Sequence, residues 1–112
     1  MKYEKLDHYL EEHLPELLQD LGLLVGINSE RSEPLPGMPF GKGNADCSAA
    51  AKKILQKCGL VVENYDNYVI TADLMPEAPK GVDILAHLDV VPAGDGWQVT
   101  TPFEMKVLDG KV

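Results

Sequence analysis

Leu6, Leu10, Leu14, Leu17, Leu18 and Leu21 recur at spacings of three and four, with Glu11, Glu12, Glu16, Gln19 and Asp20 between them. That period lines the leucines along one stripe and predicts an amphipathic helix over the first segment. Gly22 sits near its end, and the run Leu23 to Ile27 leads out to Asn28-Ser29. Pro15 interrupts the pattern; it either kinks one helix or occupies the first turn of a second. Ser29 to Gly43 holds three prolines and three glycines without periodicity and reads as a loop. Its length, about fifteen residues, is found in functional and lid-like loops as well as in plain connectors.

A second helix is predicted from Ala45 to Cys58. Asn44 or Asp46 stands ready to cap it, and Gly59 follows its end. Cys47, Ala50, Ala51, Ile54, Leu55 and Cys58 form the apolar face, while Lys52, Lys53, Gln56 and Lys57 point outward, the last of these complementing the helix dipole.

Four strand candidates follow. Leu60 to Glu63 and Tyr68 to Ala72 are rich in β-branched and aromatic residues and flank the turn-prone Asn64-Tyr65-Asp66-Asn67. After a Pro- and Gly-punctuated loop from Asp73 to Gly81, Val82 to Ala86 is a short, mostly apolar run of the kind found in a sheet covered on both faces. Phe103 to Leu108 is the fourth candidate, and Asp109-Gly110 is a hairpin signal. Only Lys111 and Val112 follow that turn, so the chain reads as one cut within a hairpin.

The 112 residues are enough for one domain, and 45% apolar with 25% charged residues is the composition of a globular protein. The net charge of −8 disfavours nucleic acid as a partner, because phosphate backbones repel such a surface and the lysines are scattered. The N-terminus, Met1-Lys2-Tyr3-Glu4-Lys5-Leu6-Asp7, is charged from its start, and no apolar run has the length of a signal peptide or membrane span. A cytoplasmic location with no membrane partner is the default expectation. Cys47 and Cys58 lie eleven residues apart in one predicted helix. That separation is roughly 16 Å of rise, against the roughly 7 Å a disulfide allows between Cα atoms, so they read as two small buried apolar residues. His8 and His13, five residues apart, point about 140° away from each other around a helix and do not chelate one ion together.

The chemistry-bearing stretch runs from Asp83 to Trp97. An apolar strand leads into His87 and Asp89, then into a loop punctuated by Pro92, Gly94 and Gly96. In open α/β sheets ligands bind beyond the carboxyl ends of strands. Residues i and i+2 of an extended chain face one side, roughly 6.5 Å apart. His87 and Asp89 can therefore reach one site, the imidazole as a metal ligand and the carboxylate as its orienting partner. A hydrogen-bonded structural histidine at a strand end produces the same pattern, and spacing alone does not separate the two. Gly94-Asp95-Gly96 reads as a turn that positions Trp97. Phe40-Gly41-Lys42-Gly43 lacks phosphate-loop spacing, so no nucleotide site is read.

The order His87, Asp89, Val90, Val91, Pro92, then Gly94-Asp95-Gly96-Trp97, Pro102-Phe103 and Asp109-Gly110 resembles the first metal-site motif of the di-zinc metallopeptidase family of aminoacylase, acetylornithine deacetylase, carnosinase and the bacterial dipeptidases. Ile27-Asn28-Ser29, Pro39-Phe40-Gly41-Lys42-Gly43 and Tyr65-Asp66-Asn67-Tyr68 resemble bacterial dipeptidases of the V type. The resemblance implies an α/β fold: the N-terminal part of a three-layer catalytic domain with a mostly parallel sheet, incomplete within residues 1–112. It implies that His87 ligates zinc and that Asp89, the catalytic acid beside the site, steers the imidazole. Two zinc ions would polarise the carbonyl of a small peptide substrate and acidify a bridging water, with a glutamate as general base.

In the family that glutamate and the remaining ligands lie downstream of the hairpin, so this stretch alone is expected to be inactive and to associate through exposed apolar surface. An N-acyl-amino-acid deacylase of the same family is the alternative activity, since the motif is common to both. A non-catalytic scaffold or interaction module is the alternative of another class.

Overall fold

The computed structural model describes residues 3–112; Met1 and Lys2, where the charged N-terminus begins, lie outside the described residues. The leucine repeat forms one helix, α1, over Glu4–Val25, with Pro15 inside it. A proline supplies no N–H to the preceding turn, yet helix is continuous on both sides of Pro15, so of the two alternatives the single helix forms. Its acidic first turn, with Glu4 and Asp7, suits the positive end of the helix dipole.

The second helix, α2, spans Lys42–Lys57 and starts three residues before the predicted Ala45. Neither Asn44 nor Asp46 caps it. Its N-cap is Gly41, at φ 91°, and no side chain closes the first turn. Asn44 instead donates to the Ser29 carbonyl at 3.4 Å, and Asp46 pairs with Lys42 one turn earlier. The far end follows the residues closely. Gly59 takes φ 84° and donates to Gln56 O, while Leu60 donates to Leu55 O. These two bonds are the Schellman closure that a glycine past the helix end permits.

β1 (Val61–Tyr65) and β2 (Val69–Asp73) pair antiparallel, with Val61 opposite Asp73 and Tyr65 opposite Val69. Asp66 and Asn67 turn the chain at φ 52° and 59°, a left-handed conformation that Asp and Asn tolerate better than most residues. Asn64 accepts from the Asn67 backbone N–H, and Asn67 reaches across to donate to the Gly37 carbonyl. The hairpin is thereby tied to the loop before α2.

The α/β class stands, with two helices and one two-stranded sheet among the described residues, and that sheet is antiparallel. Val82 to Ala86 and Phe103 to Leu108 do not join it. Val82, Ile84 and Leu85 are 85%, 90% and 97% exposed. A buried parallel strand requires neighbours on both edges brought in by crossover connections, and the described residues place none beside this run. Among the described residues parallel pairing is limited to one bridge, Glu30 with Val90. Asp109-Gly110 does turn as expected, both at positive φ, and Leu108 and Lys111 exchange two backbone bonds of 2.9 Å.

The core is small. Ala45, Cys47 and Ala51 of α2 are its buried apolar residues, joined by Ser29 and Ser48. Cys47 behaves as read, but Cys58, the C-cap residue that ends the helix, is exposed; both thiols are free. Lys57, read as pointing outward, instead pairs with Asp20 at 2.7 Å and Glu16 at 3.1 Å and pins α2 to α1. No helix of the described residues is long and apolar enough to cross a membrane.

Candidate functional site

The site lies where the loop after α1, the start of α2 and residues 86–89 meet. Two glycines permit that meeting. A Cβ on Gly43 would stand 2.0 Å from the Asn28 carbonyl oxygen, so the first turn of α2 lies directly on the backbone preceding Ser29. A Cβ on Gly41 would collide with Ser32. In the segment Phe40-Gly41-Lys42-Gly43 the glycines thus serve close backbone approach.

Ser29 is 2% exposed, and its hydroxyl donates to the Leu88 carbonyl at 2.7 Å. The next residue pair, Glu30 and Val90, forms the parallel bridge. His87 and Asp89 flank the carbonyl that Ser29 holds. The His87 Nδ1 lies 3.0 Å from the Asp89 backbone oxygen and 3.3 Å from Asp89 Oδ1. A carbonyl oxygen only accepts, so Nδ1 is the donor in this contact, and Nε2 is the ring nitrogen left without that partner. Both side chains are largely exposed to solvent.

Two hollows meet at His87. A cleft of about 350 Å³ is lined by His87 and Asp89 together with Arg31, Phe40, Asn44 and Tyr68. Arg31 sits over the Phe40 ring at 5.6 Å from its centroid, and Tyr68 meets the same ring edge-on. The second hollow, about 530 Å³, is apolar and lies between the end of α1 and residues 87–103, with Leu24, Ile27, Leu88, Val91, Trp97 and Phe103 among its walls. Trp97 is held by its indole N–H, which donates to Ala93 O at 3.0 Å and closes the glycine-rich turn.

Burial raises the pKa of the Cys47 thiol above its ordinary value, and a hydrogen bond with Ser29 partly offsets this. Cys47 is therefore a neutral neighbour of Ser29. Among the described residues no three His, Cys, Asp or Glu side chains converge to hold a metal. The pair present suits a share in one: an imidazole with Nδ1 engaged and Nε2 free, beside a carboxylate, is the donor arrangement a zinc ligand and its orienting acid require. Ser29 and Arg31 were not singled out from residue types alone. A lone serine or arginine in a loop gives no periodic signal, and both matter here through contacts or hollows shared with residues more than fifty positions away.

No family model matches the chain. Curated proteins do. The chain is 35% identical over 95 residues to a Beta-Ala-Xaa dipeptidase of Lactobacillus delbrueckii subsp. lactis, covering 81% of this chain and 19% of that protein. It is 33% identical over 126 aligned positions to the Beta-Ala-His dipeptidase of Homo sapiens, covering 97% of this chain and 24% of that protein. The chain thus spans about a fifth to a quarter of the length of these relatives.

Proposed function

The chain belongs to the dipeptidase branch of the peptidase family that its His87–Pro92 motif resembles, and from that premise we propose that the protein carrying it hydrolyses dipeptides with the help of zinc. The observation that carries the reading is the state of His87: Nδ1 engaged by Asp89, Nε2 left with its lone pair at the mouth of a cleft. Zinc, when bound, supplies a Lewis acid that polarises the scissile carbonyl and acidifies water. His87 would hold the ion through Nε2, and Asp89 would orient the ring and raise its basicity. The cleft between these two residues and the Arg31–Phe40–Tyr68 wall would receive the small peptide. We assign the general base and the remaining ligands to the part of the relatives' length that this chain does not span. Residues 1–112 by themselves are accordingly proposed to be inactive.

The test uses the complete gene product with added zinc. Dipeptides, β-alanyl dipeptides among them, should turn over faster than N-acetyl amino acids, and His87→Ala should reduce turnover to background. Asp89→Asn, which keeps the shape and removes the charge, should lower metal affinity or turnover roughly 10- to 100-fold. Preferential cleavage of N-acetyl amino acids would replace this reading with the deacylase one. Full activity in His87→Ala would remove the site.

A further inference from the structure

We propose that Ser29 is a positioning residue for His87. Its hydroxyl ties down the Leu88 carbonyl and so maintains the backbone conformation of residues 87–89 in which the imidazole keeps its proton on Nδ1 and its lone pair on Nε2. The proposal rests on reading His87 as a ligand, but its first test does not.

The argument begins with burial. A hydroxyl that is 2% exposed has lost its water and destabilises the fold unless a partner replaces it. The serine O–H takes as its acceptor the carbonyl of Leu88, the residue between His87 and Asp89 and 59 positions away in sequence, at 2.7 Å. If Ser29 only filled space, alanine would serve there without the polar group.

The anchor is held from the other side as well. The Ser29 carbonyl accepts from Asn44 of α2, Cys47 of α2 lies against its hydroxyl, and Gly43 abuts the preceding residue, Asn28. Glu30 and Val90 then pair next to it. Ser29 therefore connects the framed N-terminal half of α2 to the otherwise exposed and unladdered backbone at 87–89. The His87 Nδ1 bond goes to the backbone oxygen of Asp89, so its geometry depends on the orientation of the intervening Leu88–Asp89 peptide, whose carbonyl Ser29 holds. Freed from Ser29, that peptide can rotate, and the Asp89 oxygen moves off the ring.

The test is made on the complete gene product without metal, with ring-nitrogen NMR reporting which His87 nitrogen carries the proton. The wild type should show Nδ1–H. Ser29→Ala should show a mixture of the two tautomers, and Ser29→Thr, which restores a hydroxyl, should return the Nδ1–H form. Zinc affinity, measured by competition with a chromophoric chelator, should fall roughly 10-fold in Ser29→Ala, the lower end of what loss of a ligand-orienting group costs, and recover in Ser29→Thr.

An Nε2–H tautomer in the wild type overturns the proposal without any variant being made. A Ser29→Ala protein whose tautomer and zinc affinity both match the wild type also overturns it, whatever its melting temperature, since Ser29 then only packs. If His87→Ala binds zinc as tightly as the wild type, the metal reading fails, while the tautomer comparison still decides whether Ser29 controls the ring.

Discussion

His87 illustrates how much of a site one contact can decide. The pattern His-x-Asp says that imidazole and carboxylate can share a side, and it leaves open which ring nitrogen faces outward. The 3.0 Å contact of Nδ1 with the Asp89 oxygen settles that, because the oxygen can only accept. Gly43 makes a sharper prediction at the same scale. An added methyl would meet the Asn28 backbone oxygen at 2.0 Å, which no side-chain rearrangement relieves. Gly43→Ala should therefore lower stability by about 1–3 kcal/mol, in the range of overpacked sites, with the melting temperature as the measurement. The same substitution at Gly59, where nothing lies within 4 Å, meets backbone strain at φ 84° and no clash.

Among the elements, the helices were the most legible. Leucine spacing marked α1, and the Ala- and Cys-bearing apolar face with its closing glycine marked α2, because helical periodicity is a local property. The link between them was not legible. Lys57 reads as a solvated dipole partner until α1 presents Asp20 and Glu16 to it. The hydrogen bonds to Asp20, and then to Glu16, raise the Lys57 pKa above its ordinary 10.5.

A pKa raised by a folded-state partner adds stability that is fully present below the unfolded value and lost as pH climbs through the folded one. The α1–α2 link should therefore persist up to about pH 10.5 and weaken above it, seen as a falling melting temperature in a base titration. Tyr65, whose hydroxyl donates to Glu63 and whose pKa is likewise raised, titrates in the same direction. A Tyr65→Phe background isolates the lysine. Strands fared less evenly. The hairpin of β1 and β2 formed because its partners adjoin in sequence, whereas Val82 to Ala86 has strand composition and no pairing neighbour among the described residues.

Over the whole molecule, apolar surface outweighs core. The body measures 50 × 43 × 19 Å, and among the described residues the buried apolar ones all belong to α2. Leu6, Leu10, Leu14 and Leu17 of α1 are exposed along with Val82, Ile84, Leu85 and Val91. Exposed apolar area of this extent, with an unpaired strand-like backbone beside it, draws in other chains. We propose that residues 1–112 expressed alone self-associate. Sedimentation should show species heavier than the 12.3 kDa monomer at micromolar concentration, and Ile84→Lys with Leu85→Lys should shift them toward monomer. A monodisperse monomer before any substitution would show that this surface is tolerated in water.

Sequence by itself determined both helices, the turns at Asp66-Asn67 and Asp109-Gly110, and, through a family resemblance, the expectation that His87 and Asp89 bear the chemistry. The helices and turns are written in spacing or backbone preference within a few residues. Only the tertiary structure decided that Ser29 holds the Leu88 carbonyl, that Arg31 and Phe40 wall the cleft at His87, that Lys57 joins the helices, and that Val82 to Ala86 stays unpaired. Those outcomes depend on which distant groups meet, and a hydroxyl, a guanidinium or an apolar run acquires its role only from the partner it meets.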